Sequence, residues 1–196
     1  MAIRVLGICG SLRPDSVTAH AVKVALEGAQ TTGAETEFLD LADMDLPFCD
    51  GRDDIESYPE VVRRFRTAVQ NSQGIILGTP EYHNSLTGAL KNAIDLCGYT
   101  EFEHKMVGVI GVAGGGMGAV NSINHLRMIM RGVGAWVVPN QVSISNSKWM
   151  NATSFGDQNE LLELRLKKLG GDVTKFARLI VAGIIEVGAE EVEYSA

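Results

Sequence analysis

The sequence is short of several things, and each shortage removes a class of protein. No apolar run approaches the length of a membrane span, and the first residues lack a basic stretch followed by a long apolar one. A protein that neither spans a membrane nor is exported is therefore expected, with the cytoplasm as its location. Cysteine is scarce. Cys9, Cys49 and Cys97 are odd in number and have no ligand-like spacing, which reads as free thiols in a reducing compartment. The four histidines form no metal-binding pattern either. Positive charge is in deficit, and a formal net charge of −7 argues against nucleic acid as a partner. Internal repeats and linkers are missing as well.

The most informative absence is local. From His104 to Gly156 there is no acidic residue, yet Lys105, Arg127, Arg131 and Lys148 lie there. Acidic residues crowd elsewhere: Asp40, Asp43, Asp45, Asp50, Asp53, Asp54, Glu56 and Glu60 share one segment. Two readings of the acid-free half stay open. It is more buried, as its apolar content allows, or it presents a locally positive face to an anionic ligand or an acidic partner surface.

What is present fits one domain. The chain has 196 residues, of which 45% are hydrophobic, enough for a full core. A single domain is expected over residues 1–188, with a loose acidic tail at 189–196. Buried strands are expected at residues 3–8, 74–79, 105–112 and 135–144, and an alternating edge strand at 35–41. Between them fall helical patterns: residues 17–30, a second beginning at Pro59, a third over 86–96, and a fourth carrying Val120, Ile123, Leu126 and Met130. Asp157 and Glu160 read as a helix-start pair. After them Leu162, Leu166, Leu169, Val173, Phe176 and Ile180 keep helical phase through Gly170 and Gly171, predicting one helix across the pair. Residues 42–58 are acidic and irregular, a candidate lid or surface excursion.

Five strands alternating with helices make an α/β parallel sheet with both faces covered, and the order 2-1-3-4-5 suits five strands. In that order the ligand crevice lies at the carboxyl ends of strands 1, 3 and 4. Those ends lead into the three unusual loops of the chain.

The first loop is Gly10 to Thr18. A strand stops at a glycine, passes hydroxyls and enters a helix, which is how an α/β protein builds an anion seat. Free N–H groups at the helix start and the helix dipole favour negative charge. Ser11, Ser16 and Thr18 add hydroxyls, and Arg13 adds a forked cation. Helix capping alone would need fewer groups. A P-loop needs a Lys-Ser/Thr pair that this loop lacks, and a dinucleotide turn needs three spaced glycines where only Gly10 stands.

The second loop, Pro80-Glu81-Tyr82-His83-Asn84-Ser85, brings a proline, an aromatic and polar groups right after a strand. That suits a flat heteroaromatic ring; a turn with a buried tyrosine is the plainer alternative. The third, Gly114-Gly115-Gly116-Met117-Gly118, lets backbone approach a ligand closely. Its match to the dinucleotide pattern, with Ala119 last, is a false lead, because no acidic ribose partner exists in the acid-free segment.

Taken together, Gly10-Ser11-Leu12-Arg13 with Ser16, Pro80-Glu81-Tyr82-His83, the Leu90–Asp95 run and the glycine run resemble the NADPH-dependent FMN reductase family, within the flavodoxin-like superfamily. The resemblance covers residues 3–176. It implies a flavodoxin-like three-layer sandwich and bound FMN with NADPH or NADH as electron donor. Ser11, Arg13, Ser16, Val17 and Thr18 would hold the FMN phosphate, Pro80, Glu81, Tyr82, His83 and Asn84 would flank the isoalloxazine, and Gly114, Gly115 and Gly116 would close its other edge. Thr18 stands where the family usually has asparagine. Asparagine is also frequent at the position of His83; either His83 takes that place or Asn84 reaches it by a shift.

The implied acceptors are small molecules: quinones, azo dyes, metal oxyanions or free flavin. Because the flavin carries the chemistry, no catalytic nucleophile or general acid is expected, and His20, His83 and Cys9 are assigned structural or binding roles. Lys105, Arg127 and Arg131 are candidates for a donor 2′-phosphate. A homo-oligomer, dimer or tetramer, is expected because the third helix is apolar around much of its girth, at Leu86, Ala89, Leu90, Ala93, Ile94, Leu96 and Cys97. Two rivals remain from the residues: a flavodoxin-type electron carrier without NAD(P)H turnover, and an anion-binding regulator without flavin.

Overall fold

A computed structural model describes residues 2–52 and 54–183. The expected tail at 189–196 lies outside them. The elements are β1 (Ile3–Cys9), α1 (Val17–Thr31), β2 (Ala34–Asp40), α2 (Glu60–Gln70), β3 (Gly74–Pro80), α3 (Gly88–Asp95), α4 (Tyr99–Phe102), β4 (Met106–Val112), α5 (Val120–Gly132), β5 (Trp136–Ile144) and α6 (Asn159–Val181). All strand pairs are parallel, in the order β2-β1-β3-β4-β5, as the alternation predicts. β3 and β4 are buried along their whole length, which explains their unbroken apolar runs.

Side-chain alternation divides the core into two layers. Ile3, Val5, Ile76, Ile110 and Val142 face α1 and α6. Leu6, Ile8, Ile75, Leu77, Val107 and Val109 face the opposite way, toward Phe65, Val69, Leu90, Ile94, Ile123 and Leu126. No helix among the described residues is long and apolar enough to cross a membrane.

α6 runs unbroken through Gly170-Gly171, and the reason is contact rather than flexibility. A Cβ on Gly170 would stand 1.8 Å from the Ala25 carbonyl oxygen of α1, and one on Gly28 would stand 2.0 Å from the Lys167 carbonyl. Paired glycines let the two helix backbones nearly touch, which sets how closely the second half of α1 lies on α6.

Two expectations need correction, and a third is narrowed. Asp157 does not cap α6; the turn before it is closed by the Asn159 carboxamide, which accepts from the Phe155 N–H at 3.2 Å. The third helix begins at Gly88 rather than 86, because the Thr87 hydroxyl caps it, accepting from the Leu90 N–H. Of the two readings of residues 42–58, the described part is a pinned surface strap rather than a free lid. Asn92 of α3 donates to the Pro47 carbonyl and accepts from the Cys49 N–H, both at 2.9 Å, pinning the strap to the helix. The strap also closes on itself, with the Tyr58 hydroxyl and Arg52 both donating to Asp50, which holds that carboxyl well below the usual range. Tyr58, Val62 and Leu96 pack together beneath it, so part of the apolar girth of α3 is covered by the chain itself.

Candidate functional site

Register brings the three loops together. Pro80 pairs with Val112, and Cys9 pairs with Gly78, so β1, β3 and β4 end nearly level. Each loop leaves its strand while still bonded to the sheet: the N–H of Gly10 donates to Gly78, that of Glu81 to Val112, and that of Ala113 to Ile144. Together the loops enclose a cleft of about 490 Å³, within the size range of small-molecule sites.

One wall is the first loop. Ser11, Arg13, Asp15, Ser16, Val17 and Thr18 all line the cleft. Ser16 is the α1 N-cap, its hydroxyl oxygen accepting from the Ala19 N–H at 3.2 Å. The Ser11 hydroxyl accepts from the Arg13 N–H at 3.3 Å, which leaves its proton for an acceptor in the cleft. Among the described residues, the N–H groups of Val17 and Thr18 have no protein partner. They are helix-start donors with no carbonyl to reach, yet Thr18 is only 2% exposed and Ser11 3%. Buried donors aimed at a cleft need an acceptor there. Arg13 makes no ion pair among the described residues. A phosphate supplies the acceptors and the charge that this set requires.

The second loop is more rigid than its sequence shows. Tyr82 and Ser85 exchange backbone hydrogen bonds, at 3.0 and 3.1 Å, around a tight turn whose tip residues His83 and Asn84 have φ of 52° and 64°. Both flanks are tied to α5. The Glu81 carboxylate accepts from the Ser122 N–H at 2.9 Å and so caps a helix that has no capping side chain of its own. Ser85 Oγ bonds His125 Nδ1 at 2.9 Å. Thr87 donates to the Gly10 carbonyl at 2.7 Å, which ties the loop back to β1. Pro80, Glu81 and Tyr82 line the cleft; His83 and Asn84, at the tip, do not. Tyr82 is 45% exposed, so the buried-tyrosine alternative fails.

Of the glycine run, Gly114 lines the cleft, while Gly115 and Gly116 lie outside its lining. Gly118 has φ of 73°, and a Cβ there would meet Ser143 Oγ at 2.4 Å, so the run must end in glycine where it turns toward α5. Residues 145–150 brace it, with the N–H of Asn146 donating to Gly115 and that of Ser147 to Ala113. This bracing segment adds Ser147, Lys148 and Met150 to the lining, residues the motif reading passed over. The only sequence signal for them was the acid-free character of the stretch.

The three candidates for a donor 2′-phosphate are placed elsewhere. Lys105 donates to the Gln70 and Ser72 carbonyls at the start of β4. Arg127 is turned to the Val138 carbonyl and Gln141, and Arg131 sits in the last turn of α5. Helices here run back from the carboxyl ends of the strands, so the end of α5 lies away from the cleft. Cys9 lies beneath the first loop, its thiol pushed up to about 11, chiefly by burial. His20 stacks on Phe155 with ring centroids 4.4 Å apart, and burial lowers its pKa.

Sheet order, loop positions and unspent anion donors define a flavodoxin-like mononucleotide-binding protein. Comparison with known proteins agrees. Residues 3–148 match the model of the NADPH-dependent FMN reductase family. An NADPH azoreductase of Bacillus sp. (strain OY1-2) is 36% identical over 135 residues, covering 69% of this chain and 75% of that protein. An NAD(P)H:quinone oxidoreductase of Solanum tuberosum is 36% identical over 132 residues, covering 65% of this chain and 66% of that one. Among solved structures, the flavoenzyme NAD(P)H:(acceptor) oxidoreductase FerB of Paracoccus denitrificans superposes with a TM-score of 0.68 at 26% identity, over 89% of this chain and 99% of that chain. The chain belongs to the NADPH-dependent FMN reductase family, flavin enzymes that use FMN and draw their electrons from NAD(P)H.

Proposed function

We propose that this protein passes two electrons from NAD(P)H to quinones and azo dyes through FMN held in the 490 Å³ cleft. The observation that carries the reading is the first loop, where Val17 and Thr18 N–H, the Ser11 hydroxyl and Arg13 converge on the cleft without protein acceptors. When bound, FMN supplies the redox chemistry, taking hydride from the nicotinamide and giving electrons to the acceptor.

The chain's own part is to bind, orient and exclude. Val17, Thr18, Ser11 and Arg13 hold the phosphate; Ser16 serves by capping the helix that presents them. Pro80, Glu81 and Tyr82 form the wall against which a flat ring rests, kept still by the bonds to Ser122 and His125. Gly114 brings bare backbone to the opposite edge. His83, Asn84, Gly115 and Gly116 serve as rim residues that shape the turns. No protein group acts as nucleophile or general acid in this reading. The Glu81 carboxylate is engaged as a helix cap, and Cys9 stays a thiol at neutral pH.

A homo-oligomer and a cytoplasmic location accompany the proposal. The first rests on Phe48, 86% exposed on the strap that Asn92 pins beside α3; sedimentation tests it. The second rests on three unpaired cysteines. The function itself is tested by the visible spectrum of the purified protein reconstituted with FMN, before and after anaerobic NADPH. A yellow protein that bleaches with NADPH and recovers on adding a quinone or azo dye is the expected result. A protein that takes up no flavin overturns the reading, and a yellow one that neither NADPH nor NADH bleaches is an electron carrier instead.

A further inference from the structure

A second cation lines the cleft that holds the phosphate seat. Lys148 sits in the short helical turn Ser147–Trp149 after β5. It lines the same cleft as Ser11, Arg13, Val17 and Thr18. Its ammonium makes no hydrogen bond or ion pair among the described residues and lies 5.1 Å from the Trp149 ring centroid, a contact that steadies a cation without consuming its donors. The turn that carries it is fixed. The Asn146 and Ser147 N–H groups hold it to the glycine run, and Phe155, a few residues on, stacks on His20 of α1. The segment that carries Lys148 is thus tied at one end to the glycine run and at the other to the first turn of α1.

Charge makes the same point. A phosphate monoester carries more than one negative charge near neutral pH. The first loop offers Arg13 alone against it, with Asp15 close by on the same wall, and the Glu81 carboxylate lines the cleft too. Without Lys148 the cleft holds more acidic side chains than basic ones.

We propose that Lys148 and Arg13 form a two-sided clamp on the phosphate of the flavin, with Lys148 reaching it from the segment after β5. The proposal rests on the FMN reading above and adds a residue to it. The shared chemistry is a phosphate group, which both FMN and the dinucleotide donor carry, and the test separates the two.

Purified apoprotein is titrated with FMN and with riboflavin, following flavin fluorescence, for wild type, Lys148→Gln, Lys148→Arg and Arg13→Ala. For an exposed side chain, attraction to a dianion in screened water is worth about five- to tenfold in affinity. Lys148→Gln therefore weakens FMN by about that factor, leaves riboflavin within about twofold, and flattens the loss of FMN affinity with added salt. Lys148→Arg restores most of the affinity. If Lys148→Gln binds FMN as wild type does while Arg13→Ala does not, the clamp is wrong and the flavin reading stands. An unchanged FMN titration with a raised KM for NADPH but not for NADH assigns Lys148 to the donor and likewise overturns the clamp. Should wild type bind no FMN at all, both fall together.

Discussion

Two clefts open on this sheet, one at each end of the strands. The one described above lies at the carboxyl ends of β1, β3 and β4. The other, larger at about 710 Å³, lies over the amino-terminal halves of β1 and β2 beside α2, lined among others by Arg4, Glu35, Glu37, Arg63 and Arg64. Size favours the second, but chemistry favours the first. In the larger cleft Arg4 pairs with Glu35 and Arg63 with Glu60, so much of its charge is already spent. Its walls are β1, the edge strand β2 and α2 with the turn after it, and the helix start it touches carries the Glu60 carboxylate. In the smaller cleft, N–H groups, a hydroxyl proton and two cations are unspent. A cleft is informative as a site when it holds donors that the fold leaves without acceptors.

The largest expected effect comes from the seat of the smaller cleft. The second half of α1 is held against α6 by backbone contact at Ala25 and Gly28. Helix propensity alone would favour Gly170→Ala by about 1 kcal/mol. Its Cβ would instead stand 1.8 Å from the Ala25 carbonyl oxygen, and backbone cannot rotate aside. The clash wins, and the variant should lose about 3 kcal/mol in urea unfolding, with weaker flavin binding as α1 is displaced. An unchanged midpoint would mean that the α1–α6 contact does not set the site.

The next effect contrasts the two clefts directly. A hydrogen bond to a charged group is worth about 1.5–3 kcal/mol, and the open position of Arg13 argues for the lower half. Arg13→Ala should weaken FMN about ten- to thirtyfold and leave riboflavin nearly unchanged. Arg64→Ala, removing a cation from the larger cleft, should change neither. Equal losses from both variants would make the effect one of net charge, and the contrast would dissolve.

A smaller effect distinguishes the two walls of the site. His125→Ala removes the bond that holds Ser85, worth about 1 kcal/mol. On the proposed reading the second loop flanks the ring rather than the phosphate, so FMN and riboflavin should weaken alike, each about fivefold. A loss confined to FMN would move His125 to the phosphate side.

How legible these features were in the sequence depended on the range of the interaction behind them. Strand order and the meeting of three loops followed from local periodicity and the topology rule, and the apolar phase of α6 survived two glycines. Why those glycines are there was not legible, since it takes Gly28 of another helix to explain Gly170. The roles of Glu81 and His125 depend on α5 lying beside the second loop, about forty residues on, which no local pattern encodes. Thr87 likewise ends the loop by reaching Gly10, 77 residues away. Lys105, Arg127 and Arg131 lie outside the cleft lining for a related reason. Charge counts locate a stretch of chain but not the end of the sheet to which each side chain is delivered.

The smallest effect tests the larger cleft on its own terms. Arg4 and Glu35 lie 3.3 Å apart across β1 and β2, and both side chains are 61% exposed. At that exposure water screens the attraction, and ordering two long side chains offsets much of what remains. A double-mutant cycle with Arg4→Ala and Glu35→Ala should therefore give a coupling of about 0.5 kcal/mol or less, shrinking further in added salt. Because the pair spans the edge strand at the opposite end of the sheet from the phosphate seat, FMN affinity should stay within about twofold in all three variants. A coupling of several kcal/mol would show that the pair is far better shielded than its exposure implies. A tenfold change in FMN affinity would show that the two ends of the sheet communicate through β1, and the larger cleft would then belong to the function rather than stand as its counterexample.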